Sequence, residues 1–149
     1  MNKKITLFIF VFFGALLLST TFSCGKVIEE LIPDFSCDID GVNWTTHAVI
    51  GSSSDSGIIY MAMEDSTMIT LTVKNLTEGD YAIDNTSNFA TYQLGSSENI
   101  YLGTSGSIHV EKVTESNVDL SFHFKGYNLV GDSVEITNGV GNNLLYIKQ

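Results

Sequence analysis

Three histidines, His47, His109 and His123, and two cysteines, Cys24 and Cys37, are the side chains with the widest chemical reach in this chain. Two of the histidines fall on facing segments. Residues 117–125 alternate strictly, with Val118, Leu120, Phe122 and Phe124 against Asp119, Ser121, His123 and Lys125, which is the pattern of a strand with one buried face. A short loop, Thr114 to Ser116, joins it to Ser107–Val113. Burying Ile108 and Val110 beside Phe122 and Leu120 fixes the register, because a slip of one residue would turn a strand inside out. That register sets His109 opposite Ser121, Ser107 opposite His123, and Glu111 opposite Asp119. His109 and His123 are then diagonal neighbours, roughly 7–8 Å apart on one face. Imidazole with carboxylate suits zinc or a similar divalent ion, so His109, His123, Glu111 and Asp119 form a candidate metal site. The competing reading is a solvated polar face. No organic cofactor is expected.

Other arrangements point less far. Gly103-Thr104-Ser105-Gly106-Ser107 only resembles a nucleophile elbow and lacks the strand-turn-helix setting. No catalytic residue is assigned. Asp38-Ile39-Asp40-Gly41 looks like half a calcium loop without its later acids, and Asp40-Gly41 reads as a hairpin turn. Paired carboxylates for glycoside hydrolysis need a cleft that strand reading does not place. Trp44, Tyr60, Tyr92, Tyr101 and Tyr127 could stack on sugars or fill a core. Asp65-Ser66-Thr67 and Asp132-Ser133-Val134, both at expected turns, resemble the acceptor triplet of periplasmic O-glycosylation and make Ser66 and Ser133 candidate modification sites.

The elements that must carry these residues are strands. Phe35, Cys37 and Ile39 alternate with polar neighbours, and Val42, Trp44, Thr46, Ala48 and Ile50 form a returning face. Further strands are expected at 58–63, 67–74, 81–83, 89–94, 100–102, 107–113, 117–125, 134–137 and 144–147, separated by Gly-, Asn-, Asp- and Ser-rich turns. The fold class is all-β: a single antiparallel β-sandwich or barrel-like domain over 35–149. Cys37 shares a face with Phe35 and Ile39, so it is expected to be buried.

Ahead of the domain, Lys3 and Lys4 precede an apolar run from Ile5 to Leu18 and a small, polar stretch to Ser23, the plan of a secretory signal peptide over 1–23. About 14 apolar residues are too few for a bilayer core that needs nearer 20. Leu18-Ser19-Thr20-Thr21-Phe22-Ser23-Cys24 resembles a loose lipobox, which makes Cys24 the expected lipid anchor and 24–34 the lipidated cysteine and tether. If Cys24 carries lipid, Cys37 has no partner; if it is free, the two could bridge. Gly25 in the position after the cysteine favours outer-membrane sorting. All 17 acidic residues follow the leader, and five lysines remain after it, with no arginine, a balance of about −12. Such a field repels phosphate backbones, so nucleic acid is excluded as a partner.

Phe35-Ser36-Cys37-Asp38-Ile39-Asp40-Gly41-Val42-Asn43-Trp44, Gly79-Asp80-Tyr81, Ser105-Gly106-Ser107-Ile108, Phe122-His123-Phe124 and Ile136-Thr137-Asn138-Gly139, in that order, resemble a family of small, uncharacterised lipoproteins from Bacteroidota. The resemblance implies a lipid-anchored β domain and brings no activity with it. Two functional readings follow. One is a non-catalytic envelope or surface module, held to the membrane by its lipid and binding a glycan or protein ligand, or serving structurally. The other is a hydrolase of envelope polymer or glycan.

Overall fold

The computed structural model describes residues 32–54, 57–96 and 99–148. The expected signal peptide, Cys24 and most of the tether lie outside them. The chain divides into two units, Met1–Ile32 and Pro33–Gln149, and the second is the β domain.

Its strands are β1 (Asp34–Ile39), β2 (Val42–Thr46), β3 (Val49–Ser54), β4 (Gly57–Glu64), β5 (Thr67–Val73), β6 (Gly79–Ala82), β7 (Phe89–Leu94), β8 (Ile100–Val113), β9 (Asn117–Tyr127), β10 (Ser133–Leu145) and β11 (Ile147–Lys148). They form one sheet in the order β11-β3-β4-β5-β7-β8-β9-β10-β1-β2, with β6 beside β8. All pairings are antiparallel except β11 with β3. The sheet curls until its ends nearly meet. The chain turns a corner at His47 and Ala48, where the Met63 backbone N–H donates to the Ala48 carbonyl (2.9 Å) and Thr46 Oγ1 donates to the Met63 carbonyl (2.6 Å). The fold is therefore all-β as expected, and barrel-like.

Alternation produces the interior. Phe35, Cys37, Tyr60, Ile69, Leu71, Ile108, Val110, Leu120, Phe124, Ile136 and Leu144 are enclosed. β-branched and aromatic side chains suit a pleated, half-buried surface, which is why these segments extend rather than coil. Asp40 (φ 49°) and Gly41 (φ 82°) supply the two positive φ angles of a type I′ hairpin, so this pair is a turn and not half of an ion loop.

Three expectations need correction. The face from Val42 to Ile50 does not continue: the corner at His47 and Ala48 leaves Ala48 and Ile50 exposed and turns Val49 toward the core. Residues 100–102 and 107–113 are one strand, β8, and 134–137 and 144–147 are largely one strand, β10. Bulges explain both. They lie between Gly103 and Ser105 on β8, and between Ile136 and Gly139 and between Gly141 and Leu144 on β10. Each adds a residue to one strand without ending it. Asp34 also belongs to β1 rather than to the tether.

The barrel has two distinguishable ends. Asp34 faces Asn142 and Ile39 faces Ile136, so β1 runs from Pro33 toward the beginning of β10. Ser133 stands nine residues from Asn142 along β10, about 30 Å at about 3.3 Å per residue. The β9–β10 loop therefore lies at the end opposite Pro33.

Candidate functional site

The outer face of β8, β9 and β10 carries the site. On β9 the outward positions are Asp119, Ser121, His123 and Lys125, because Val118, Leu120, Phe122 and Phe124 are buried. His109 pairs with Ser121 and Ser107 with His123, as the alternation requires. Small serines between the two imidazoles leave room above the sheet. On the far side, the bulge with Asn138 in the left-handed region (φ 51°) bends β10 away. The result is an open groove of about 570 Å³ lined by Ser107, His109, Ser121, His123, Asn138 and Val140, among others. A second hollow of about 370 Å³ shares His123 and Thr137 with it and runs on to Lys125 and Glu135. Together they follow β9 lengthwise.

Gly106 lines the second hollow. Its φ of +129° suits glycine, and a side chain there would overlap the His123 carbonyl. Asn138 Nδ2 donates to Asp38 Oδ2 at 2.8 Å, which ties the bulge to β1.

His109 has a partner that lies 29 residues earlier in the chain. The four-residue strand β6 pairs with β8, with Asp80 directly across from His109. Asp80 Oδ1 lies 2.7 Å from His109 Nδ1. A carboxylate only accepts, so Nδ1 carries the proton and, in the neutral ring, Nε2 is left as an acceptor. The two ring nitrogens point in nearly opposite directions. While Nδ1 is engaged by Asp80 of β6, the same ring lines the groove. β6 is held in place by Tyr81, whose hydroxyl donates to the Thr77 carbonyl (2.8 Å) and accepts from the Thr77 backbone N–H (2.8 Å). Just past β6, Asp84 accepts the backbone N–H groups of Ser87, Thr86 and Asn88 (2.8–3.1 Å), bonds that keep its carboxyl well below the usual carboxylate range.

The four residues expected to hold a metal are only partly brought together. His109 and His123 share the groove. Glu111 does not face Asp119, because a bulge between Val110 and Lys112 puts Lys112 opposite Asp119 instead. Asp119 Oδ1 accepts the Asn143 backbone N–H at 2.7 Å. Among the described residues, no three His, Cys, Asp or Glu side chains are grouped to hold an ion. Asp80 was absent from the expected set; the only signal for it is the Gly79-Asp80-Tyr81 triplet, which pattern reading does not place against β8.

Other candidates fall elsewhere. His47 is exposed and its Nδ1 donates to the Pro33 carbonyl at 2.9 Å. Tyr60 and Tyr92 are buried, and Trp44 packs edge-on against Phe35 with ring centroids 6.2 Å apart, so the aromatics do not form one stacking platform. Gly103 to Ser107 lie within β8, not on a strand-to-helix turn. Ser66 is exposed in the β4–β5 turn, and Ser133 is exposed as the first residue of β10. Cys37 is buried and unpaired among the described residues. Its enclosure, and secondarily the neighbouring Asp38 charge, push its thiol up to about 12.

Fold and groove together define a small, nearly closed, barrel-like sheet with a trough on its outer wall where imidazole and hydroxyl groups stand among apolar surface. The chain belongs to the DUF6252 family, a domain of unknown function, which it matches over residues 32–144. No curated protein and no solved structure matches it.

Proposed function

We propose that this protein is a lipid-anchored lipoprotein of the outer membrane. In this reading its barrel is a non-catalytic binding module that takes a glycan in the trough along β9. The trough carries the reading. It is long and open, and hydroxyl, imidazole and amide groups stand along it among a larger share of apolar surface, a mix of donors, acceptors and apolar contact that a hydroxylated polymer pairs with. Its length along one strand suits an extended ligand better than a compact one. The anchor rests on the leader and on Cys24, and on the likeness to lipoproteins of Bacteroidota. Mass spectrometry of the membrane-bound protein is expected to show a mature chain that begins with an acylated Cys24. An intact leader, or a different first residue, would refute that part.

Binding is tested on an array of envelope and dietary polysaccharides. Retention of at least one of them is expected, with loss on Ser121→Arg, which places a long side chain in the trough. Failure to retain any polysaccharide overturns the glycan reading.

A hydrolase is the second reading, and one observation favours it: Asp80 orients His109, and Ser121 stands across from that imidazole. This is the order of parts in an acyl-transfer site. Turnover of an ester, such as the acyl group of an acylated glycan, that disappears with Ser121→Ala would establish it.

A further inference from the structure

We propose that the trough holds a divalent transition-metal ion between His109 Nε2 and His123, with Asp80 as the carboxylate that orients the first ligand. This deepens the binding-module reading and rests on the trough being its ligand site. Metal-bound histidines commonly donate their other ring N–H to a carboxylate, which fixes the tautomer and raises the basicity of the ligating nitrogen. Asp80 and His109 already stand in that relation at 2.7 Å. Both groups are well exposed, with side chains 49% and 81% accessible for His109 and Asp80, so the pair does not serve to satisfy a buried group.

The register supplies the second ligand. His123 is the diagonal neighbour of His109 across β8 and β9, and both rings line the same hollow. Diagonal positions on one sheet face lie roughly 7–8 Å apart, within reach of two imidazoles that lean toward a common point. Metal–nitrogen bonds of about 2.0–2.1 Å then leave the remaining positions to water. Ser107 and Ser121 are short enough to leave that space open. An ion with open positions in the trough would take vicinal hydroxyls of a sugar in place of its waters, which links the metal to the proposed ligand. Imidazole donors select zinc, copper or nickel over calcium or magnesium.

Zinc titration of the chelator-treated, full-length protein tests this by calorimetry, with zinc chloride alone as the probe. One ion per chain is expected. His109→Ala and His123→Ala should each abolish binding, and Asp80→Asn should weaken it about tenfold or more. Cobalt, as a spectroscopic substitute, should give ligand-field bands that vanish in both histidine variants. The nitrogen-15 spectrum of the metal-free protein should show His109 protonated on Nδ1, and that preference should be lost in Asp80→Ala. His123→Gln, which retains a polar side chain, serves if His123→Ala fails to fold. No binding at millimolar zinc overturns the proposal, as does zinc binding unchanged by the His123 variant. Glycan retention without any zinc binding would overturn the metal and leave the trough reading standing. Zinc binding without any glycan retention would do the reverse.

Discussion

The Phe122 ring lies where a Gly139 side chain would be. The two residues pair across β9 and β10, and a Cβ at Gly139 would sit 2.6 Å from ring carbons Cε1 and Cζ. The ring cannot easily yield, because it packs against Phe35 with centroids 5.0 Å apart, and Phe35 packs in turn on Trp44. Gly139 is thus one half of a packing unit next to the β10 bulge that shapes the trough.

Gly139→Ala is therefore expected to destabilise by overpacking, by about 1–3 kcal/mol. Urea denaturation should show a lower midpoint with an unchanged slope. An unaltered midpoint would mean that the ring has room to move. Phe122→Ala should cost more, about 3–5 kcal/mol, since it empties part of the core.

The Tyr60 hydroxyl is buried with no hydrogen-bonding partner among the described residues, and its enclosure pushes its ionisation upward. An unsatisfied buried hydroxyl carries a desolvation cost of about 1–3 kcal/mol. Tyr60→Phe keeps the ring and removes that group, so it should leave the protein as stable or more stable. A clear loss of thermal stability would show that the hydroxyl is paired in solution.

Cys37 should resist thiol reagents in the native protein and react at once in denaturant. Its folded value of about 12 exceeds the ordinary 9.0. Between those two values the unfolded chain releases the proton and the folded chain keeps it, so stability is full below about pH 9 and declines above it. Cys37→Ala should flatten part of that alkaline decline. Rapid native labelling at neutral pH would contradict the burial.

Ser66 and Ser133 are both reachable by a modifying enzyme. Ser133 follows the β9–β10 loop, at the end of the barrel opposite Pro33. Ser66 lies beside Gly95, whose backbone N–H donates to the Ser66 carbonyl at 2.7 Å. Protein from the native host is expected to exceed its calculated mass, and Ser66→Ala with Ser133→Ala should remove the excess. An equal mass in the double variant and the parent would dispose of both sites.

Much of this architecture was legible, and the parts that were not share a cause. The register of His109 with Ser121 followed from Ile108, Val110, Leu120 and Phe122, since apolar burial fixes a period of two. Glu111 was misplaced because a bulge adds one residue without any change of residue type to announce it. Asn138 and Asn143 read as turn residues, yet they sit at positive φ inside a continuous β10. Asp80 stayed hidden because β6 is four residues long and pairs with a strand far along the chain. Local pattern reports which face a residue takes; only the assembled sheet reports its neighbour.

The place of β1 bears on how the chain reaches its fold. The first strand is completed on one side by β10, and Asn138 reaches Asp38 across a separation of 100 residues. Such pairing has high contact order, and loop closure must precede any gain from it. The barrel cannot be completed until nearly the whole sequence is available. A chain threaded N-terminus first through a translocation pore would keep β1 unpaired with β10 until its last strands emerged. Refolding should accordingly be slow, and removal of β10 should leave β1 and β2 without a sheet to join.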